Sequence, residues 1–293
     1  MWLPCRHHIA ELLVGAAWYE IFDKDMAPYI KQFKDFQASW DSIDKKKFVK
    51  LQINESLQSR ANEIIDFCKA QLASNKKFAR GDYKESLELV LVCLGCSIPT
   101  TFTFKKPGAL HKARFMAKIL YGLKIFLFRF ELNRNQAEQQ KLQRFTTFIC
   151  LFYIKHWFKA PIAVDAPKTD LELYHDMFQY KTYDSKVANA VLKKFYGHTW
   201  YLNQEFLPLC LFSTIVSNEE KQEIAQKILS IAPPEEYEGI VEFDFIEVIL
   251  YISDQTFHYR WCSRNSPTTI TFQKTSLSIQ VVRLCNGRIP LHF

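Results

Sequence analysis

Leu57-Gln-Ser-Arg-Ala-Asn-Glu-Ile-Ile-Asp-Phe-Cys-Lys-Ala-Gln-Leu72 decides the fold class, because its apolar residues Leu57, Ala61, Ile64, Cys68 and Leu72 return every three or four positions. That period gathers them on one stripe of an α-helix and leaves the charged residues on the other side. The same period recurs in Tyr83, Leu87, Val90, Leu91 and Leu94, in Leu142, Phe145, Ile149 and Phe152, and in Val187, Val191, Leu192 and Phe195. Helix-stopping residues separate the stripes: Gly95 and Pro99, Pro107-Gly108, Pro161 and Pro167, Gly197, and Pro233-Pro234. Asp170, Ser185 and Asn218 stand where N-caps are needed, the last followed by Glu219 and Glu220 in a favourable first turn. The expectation is a mainly α chain, with a multi-helix globular body over residues 1–260. A basic tail follows over 261–293, where acids vanish; Thr268 to Phe272 and Leu277 to Leu284 read there as a β-hairpin or as disordered chain.

At 293 residues and 48% hydrophobic, the chain can bury a sizeable core without staples. Its eight cysteines are scattered, most of them inside apolar runs such as Leu89-Val-Leu-Val-Cys-Leu94, which is the habit of buried free thiols. A reducing intracellular compartment, the nucleus included, is therefore expected rather than a disulfide framework. The opening residues carry no secretory pattern. The apolar stretches Ile119 to Phe130 and Phe145 to Phe158 are interrupted by Lys124, Arg129, Lys155 and His156. Both fall short of the roughly 20 residues of a membrane span, so no membrane partner is expected.

The formal charge of +7 is unevenly spread. No acid lies between Glu88 and Glu131, while Lys105, Lys106, Lys112, Arg114, Lys118, Lys124 and Arg129 fall in that gap; residues 219–254 show the reverse bias. At 100° per residue, Leu110, Ala113, Met116, Leu120, Leu123 and Leu127 form one stripe, and Arg114, Lys118 and Arg129 share the opposite face. A row of cations beside Phe115 and Tyr121 suits weak, non-specific contact with DNA phosphates. The plainer reading is the solvated outer face of an amphipathic helix.

Two further groups carry possible chemistry. Cys5 and His8 have the spacing of half a zinc site, and Cys93 with Cys96 would supply the other half; buried thiols are the plainer account. Asp165 and Asp170 are candidate metal carboxylates, each with an alternative role in a turn or a cap, and Glu205 sits within a short apolar segment. The chain holds no Gly-rich phosphate loop, Gly-x-Ser-x-Gly elbow or His-Glu-x-x-His motif.

Leu3-Pro-Cys-Arg-His-His-Ile9, Pro107-Gly-Ala-Leu-His-Lys-Ala-Arg-Phe-Met-Ala-Lys118, Ala163-Val-Asp-Ala-Pro167 and His198-Thr-Trp-Tyr-Leu202 occur in that order. Together they resemble landmarks of a set of transposable-element-derived proteins of invertebrate genomes, themselves similar to hAT-type transposases. The resemblance covers residues 1 to 250. It implies an RNase H-like catalytic fold interrupted by a long helical insertion, with three acids that bind Mg²⁺ in an intact relative. Cys5 and His8 match the Cys-x-x-His that follows the second acid, which would place the first two acids before Met1. Glu205 takes the third position, and Arg114-Phe115 resembles the Arg-Trp that opens a helix of the insertion.

The function so implied is that of a truncated, catalytically incomplete transposase-like protein, not an enzyme and with no cofactor of its own. It would bind DNA weakly and associate with itself or with intact relatives. Two other readings stand beside it: a helical protein-interaction module without nucleic-acid function, and a metal-dependent nuclease assembled from Asp165, Asp170 and Glu205.

Overall fold

The computed structural model describes residues 5–22, 30–74, 77–97, 102–108, 116–161, 163–198 and 207–231. Among them the secondary structure is helical throughout: α1 (Arg6–Phe22), α2 (Lys31–Ser39), α3 (Glu55–Ala73), α4 (Gly81–Cys93), α5 (Ala117–Leu127), α6 (Gln136–Thr147), α7 (Ile154–Lys159), α8 (Ala166–Tyr180), α9 (Ser185–Tyr196) and α10 (Asn218–Ile231). Short 3-10 segments, Trp40–Ser42, Ala163–Asp165 and Leu207–Phe212, join them, and a π-helical segment, Phe148–Tyr153, links α6 to α7. The expected tail over 261–293 lies outside the described residues.

Two compact units form, one from residues 1–158 and 173–198, the other from 159–172 and from 199 onward. In the first unit α1 packs on α5, α6 and α9, and α5 packs on α4 and α6. The buried residues of α3, Leu57, Ala61, Ile64 and Cys68, are those of the expected stripe, and the stripe of α9, Val187, Val191, Leu192 and Phe195, is buried likewise. Two elements are apolar nearly all round and are accordingly enclosed on all sides. In α5 every residue but Leu120 is buried, and in the π-helical segment every residue from Phe148 to Tyr153 is. The long apolar runs thus serve the core, and among the described residues no helix is long and apolar enough to cross a membrane.

Aromatic rings fill the space between α1, α2, α5 and α6. Trp18 meets Phe33 and Phe145 edge-on at 5.1 and 4.9 Å, and Phe33 stacks on Tyr121 at 4.4 Å. Helix α5 comes close to α6 at Gly122, where an added Cβ would stand 2.7 Å from Cδ1 of the Phe145 ring and closer still to its Cε1.

Two of the three expected caps fall one residue away, and the third is not a cap. Asp184, rather than Ser185, caps α9 by accepting from the Val187 N–H at 3.2 Å. Ser217 caps α10 by accepting from the Glu220 N–H at 3.1 Å, while its own N–H donates to the Glu220 carboxylate at 2.9 Å. Asp170 lies inside α8. A further capping box at α6 pairs Asn135 with Glu138.

His7, in the first turn of α1, stacks on Trp157 with ring centroids 4.5 Å apart. Burial, aided by the charge of Arg6, lowers its pKa from the ordinary 6.5 to about 4. The unfolded chain therefore takes up this proton first. His7 leaves stability intact above pH 6.5 and removes up to about 3 kcal/mol as pH falls toward 4. The urea midpoint of His7→Gln should accordingly fall less steeply with pH over that window than that of the parent chain. Parallel curves would show that the folded state accepts the charged ring.

Candidate nucleic-acid interface

The cations expected to form a phosphate-binding row are divided by the fold. Lys118 is 4% exposed, and its Nζ donates to Glu11 Oε1 of α1 at 2.7 Å. Lys124 is 2% exposed; its Nζ stands 2.6 Å from Glu85 Oε1 of α4 and donates to the Lys105 carbonyl at 2.8 Å. Burial holds the Lys124 ammonium below its ordinary pKa although Glu85 opposes the shift. Arg129 is 8% exposed and donates through Nη1 to the carbonyls of Phe126 and Val49 at 2.7 and 2.9 Å. A guanidinium there satisfies the Phe126 carbonyl at the C-terminal end of α5, where the helix dipole favours positive charge.

These three side chains therefore do not line a solvated face of α5, because α5 has none wide enough to hold them. Lys105 and Lys106 are exposed, and Lys106 pairs with Asp41 at 3.1 Å. Lys112 and Arg114 lie outside the described residues, as does Glu205.

The other candidates have structural partners too. Asp165 is buried in the second unit, where its Oδ1 accepts from the Ser213 hydroxyl at 2.6 Å and its carbonyl accepts from Thr169 Oγ1 at 2.9 Å. Asp170 is buried as well. Cys5 is half-buried at the start of α1, its carbonyl accepting from the N–H groups of His8 and Ile9 at 2.9 and 3.1 Å, and His8 is exposed. Cys93 is buried and Cys96 half-buried. Among the described residues no three His, Cys, Asp or Glu side chains gather as a metal site.

One carboxylate cluster went unforeseen in the sequence. Arg60 of α3 donates to Asp176 of α8, to Glu63 at 2.9 Å and to the Leu151 carbonyl of the π-helical segment at 2.8 Å. His156 Nε2 stands 2.7 Å from the same Asp176 oxygen, and its Nδ1 is buried without a hydrogen-bond partner. Burial pushes Asp176 upward, but the hydrogen bond from His156 and the charge of Arg60 outweigh it and leave the carboxyl below its ordinary range. This linkage joins four helical elements, α3, the π-helical segment, α7 and α8; no charge density in the sequence announces it.

Positive charge that does face solvent runs along α9. Lys186, Lys193 and Lys194 are exposed there; Lys186 and Lys193 lie opposite the arc that faces the core, Val187, Ala188, Val191, Leu192 and Phe195, and Lys194 lies at its Val187 edge. Within residues 177–198 the one acid is Asp184, held by the Arg144 guanidinium at 2.7 and 3.1 Å. At the C-terminal end of the helix, burial and then the charges of Lys194 and His8 hold His198 below the ordinary histidine range. Three cationic or protonatable groups thus meet at that end. The sequence signal for this face was the Lys193-Lys194 pair outside the stripe of α9, overshadowed by the longer acid-free stretch around α5.

Neither a family model, nor a curated protein, nor a solved structure matches this chain.

Proposed function

We propose that this chain is the helical, non-cleaving part of a transposase-like protein, and that it holds nucleic acid through surface lysines while its interior cations maintain the fold. The observation that carries the binding reading is the solvent face of α9, where Lys186, Lys193 and Lys194 stand free of any acid within residues 185–198. The order of the motifs around Cys5, Pro107, Ala163 and His198 supports the transposase-like part of the reading. The engagement of Asp165 by Ser213 and of Asp176 by Arg60 and His156 supports a binding rather than a cleaving role, since carboxylates so engaged are not offered to Mg²⁺.

Fluorescence anisotropy with labelled duplex DNA tests the reading. The expected result is weak, sequence-independent binding, with a dissociation constant on the order of 10⁻⁴ to 10⁻⁶ M at physiological salt. Three phosphate contacts give a slope of log affinity against log salt of about −3. The same DNA incubated with Mg²⁺ or Mn²⁺ should remain intact. Cleavage that disappears in Asp165→Asn or Glu205→Gln would replace this reading with that of a metal-dependent nuclease, and the absence of any DNA binding would end it.

A further inference from the structure

Exposed aromatic rings stand at and before the two ends of α9. Tyr196, at its C-terminal end, is 76% exposed, and Tyr183, one residue before the cap, is 44% exposed. Phe178, in the last turns of α8, is 47% exposed and has the Lys181 ammonium 4.4 Å from its ring centroid. Large rings left in water at a cationic surface are costly, because each keeps apolar area exposed that the core would otherwise take. Other rings of the same unit, Phe145, Phe152, Tyr180 and Phe195 among them, are buried.

The two tyrosines flank α9: Tyr183 stands in the turn before the Asp184 cap, with its ring centroid 6.2 Å from that of Phe152, and Tyr196 is the last residue of the helix. Lys186, Lys193 and Lys194 lie between them. On a 100° projection Lys186, Lys193 and Tyr196 fall within one arc of the exposed side. This is the combination that holds single strands: cations follow the phosphates, and rings at intervals receive unstacked bases. A duplex uses the cations but offers its bases only at the ends, so rings on an outer helix face contribute little to it.

Acids on the packed elements do not cancel this field. On α1, which packs against α9, Glu11 is buried against Lys118 and Glu20 acts on Arg144. On the connection before α9, Asp184 is clamped by Arg144.

We propose that the outer face of α9, with Tyr183 and Tyr196 at its two ends and Lys186, Lys193 and Lys194 between them, binds single-stranded nucleic acid in preference to duplex by base stacking on the tyrosines. The inference rests on the nucleic-acid reading above and narrows it to a strand form and a place.

The test measures binding of the full chain to labelled oligothymidylate and to a duplex of equal length. The parent chain should bind the single strand more tightly. Tyr183→Ser with Tyr196→Ser should weaken single-strand binding about tenfold for each ring and leave duplex binding within a factor of about two. Lys186→Gln, Lys193→Gln and Lys194→Gln together should weaken both. All five positions are exposed, and an unchanged circular dichroism spectrum and melting temperature identify folded variants. Binding in which the tyrosine double variant equals the parent, or in which duplex is preferred, overturns this inference and leaves the broader reading standing. Equal affinity for polyglutamate and oligothymidylate also overturns it, since a bare cationic surface would then suffice. No binding to either nucleic acid defeats the inference together with the reading beneath it.

Discussion

Lys118→Met should lower the unfolding free energy by about 4 kcal/mol, because it strands the buried carboxylate of Glu11 without its partner. Burial already pushes the Glu11 carboxyl upward, opposed first by Lys118 and then by the Met116 N–H. Once the ammonium is gone the acid rises further, and a proton neutralises it as pH falls. The deficit of Lys118→Met should therefore shrink toward acidic pH. The double replacement Glu11→Leu with Lys118→Met should recover most of the loss, since a buried pair exchanged for apolar side chains of similar volume is close to neutral. Urea denaturation of the four chains gives the coupling directly. A loss under about 1 kcal/mol for Lys118→Met would place its ammonium in solvent.

Gly122→Ala should destabilise the first unit by about 3 kcal/mol, although the same exchange on an exposed helix face stabilises by about 1 kcal/mol. The sign is set by Phe145, which is fully buried, meets Trp18 edge-on at 4.9 Å and has no room to retreat from a methyl group 2.7 Å from its Cδ1. Trp18 Cζ3 would lie 3.4 Å from the same methyl on the other side. Phe145→Leu in the Gly122→Ala background should restore part of the loss by removing the obstructing ring edge. Thermal melts of the single and double variants check this, and a raised melting temperature for Gly122→Ala alone would show that α5 and α6 can move apart freely.

Helical period proved legible because burial on one stripe leaves a local record. Leu57, Ala61, Ile64 and Cys68 recur at helical spacing, and the structure buries all four. Two helix starts were legible to within one residue, since several residues near a start can accept from the first N–H groups: Asp184 does so beside Ser185, and Ser217 beside Asn218; the third, expected at Asp170, was missed, because α8 begins at Ala166. The role of α5 was not legible, for a physical reason. The acids that neutralise its cations come from Glu11 and Glu85 on other helices, and a stretch without acids in sequence acquires them only in three dimensions. An outer face was expected for Lys118 and Arg129 because charged residues ordinarily avoid the interior; here paired partners and helix-end carbonyls hold them inside. On α9 the converse held. Lys186, Lys193 and Lys194 are exposed, and their short pattern carried too few charges for the sequence to single them out.

On the proposed function, charge near α5 serves the fold and charge on α9 serves nucleic acid. Its most direct test is the salt dependence of oligothymidylate binding, measured side by side for the parent chain, for Glu11→Leu with Lys118→Met, and for Lys186→Gln with Lys193→Gln and Lys194→Gln. The α9 variant should lose about 2 from the magnitude of the slope of log affinity against log salt, at roughly 0.7 for each phosphate contact, while the interior variant keeps the parent slope. A slope that falls in the interior variant and stays unchanged in the α9 variant would contradict it.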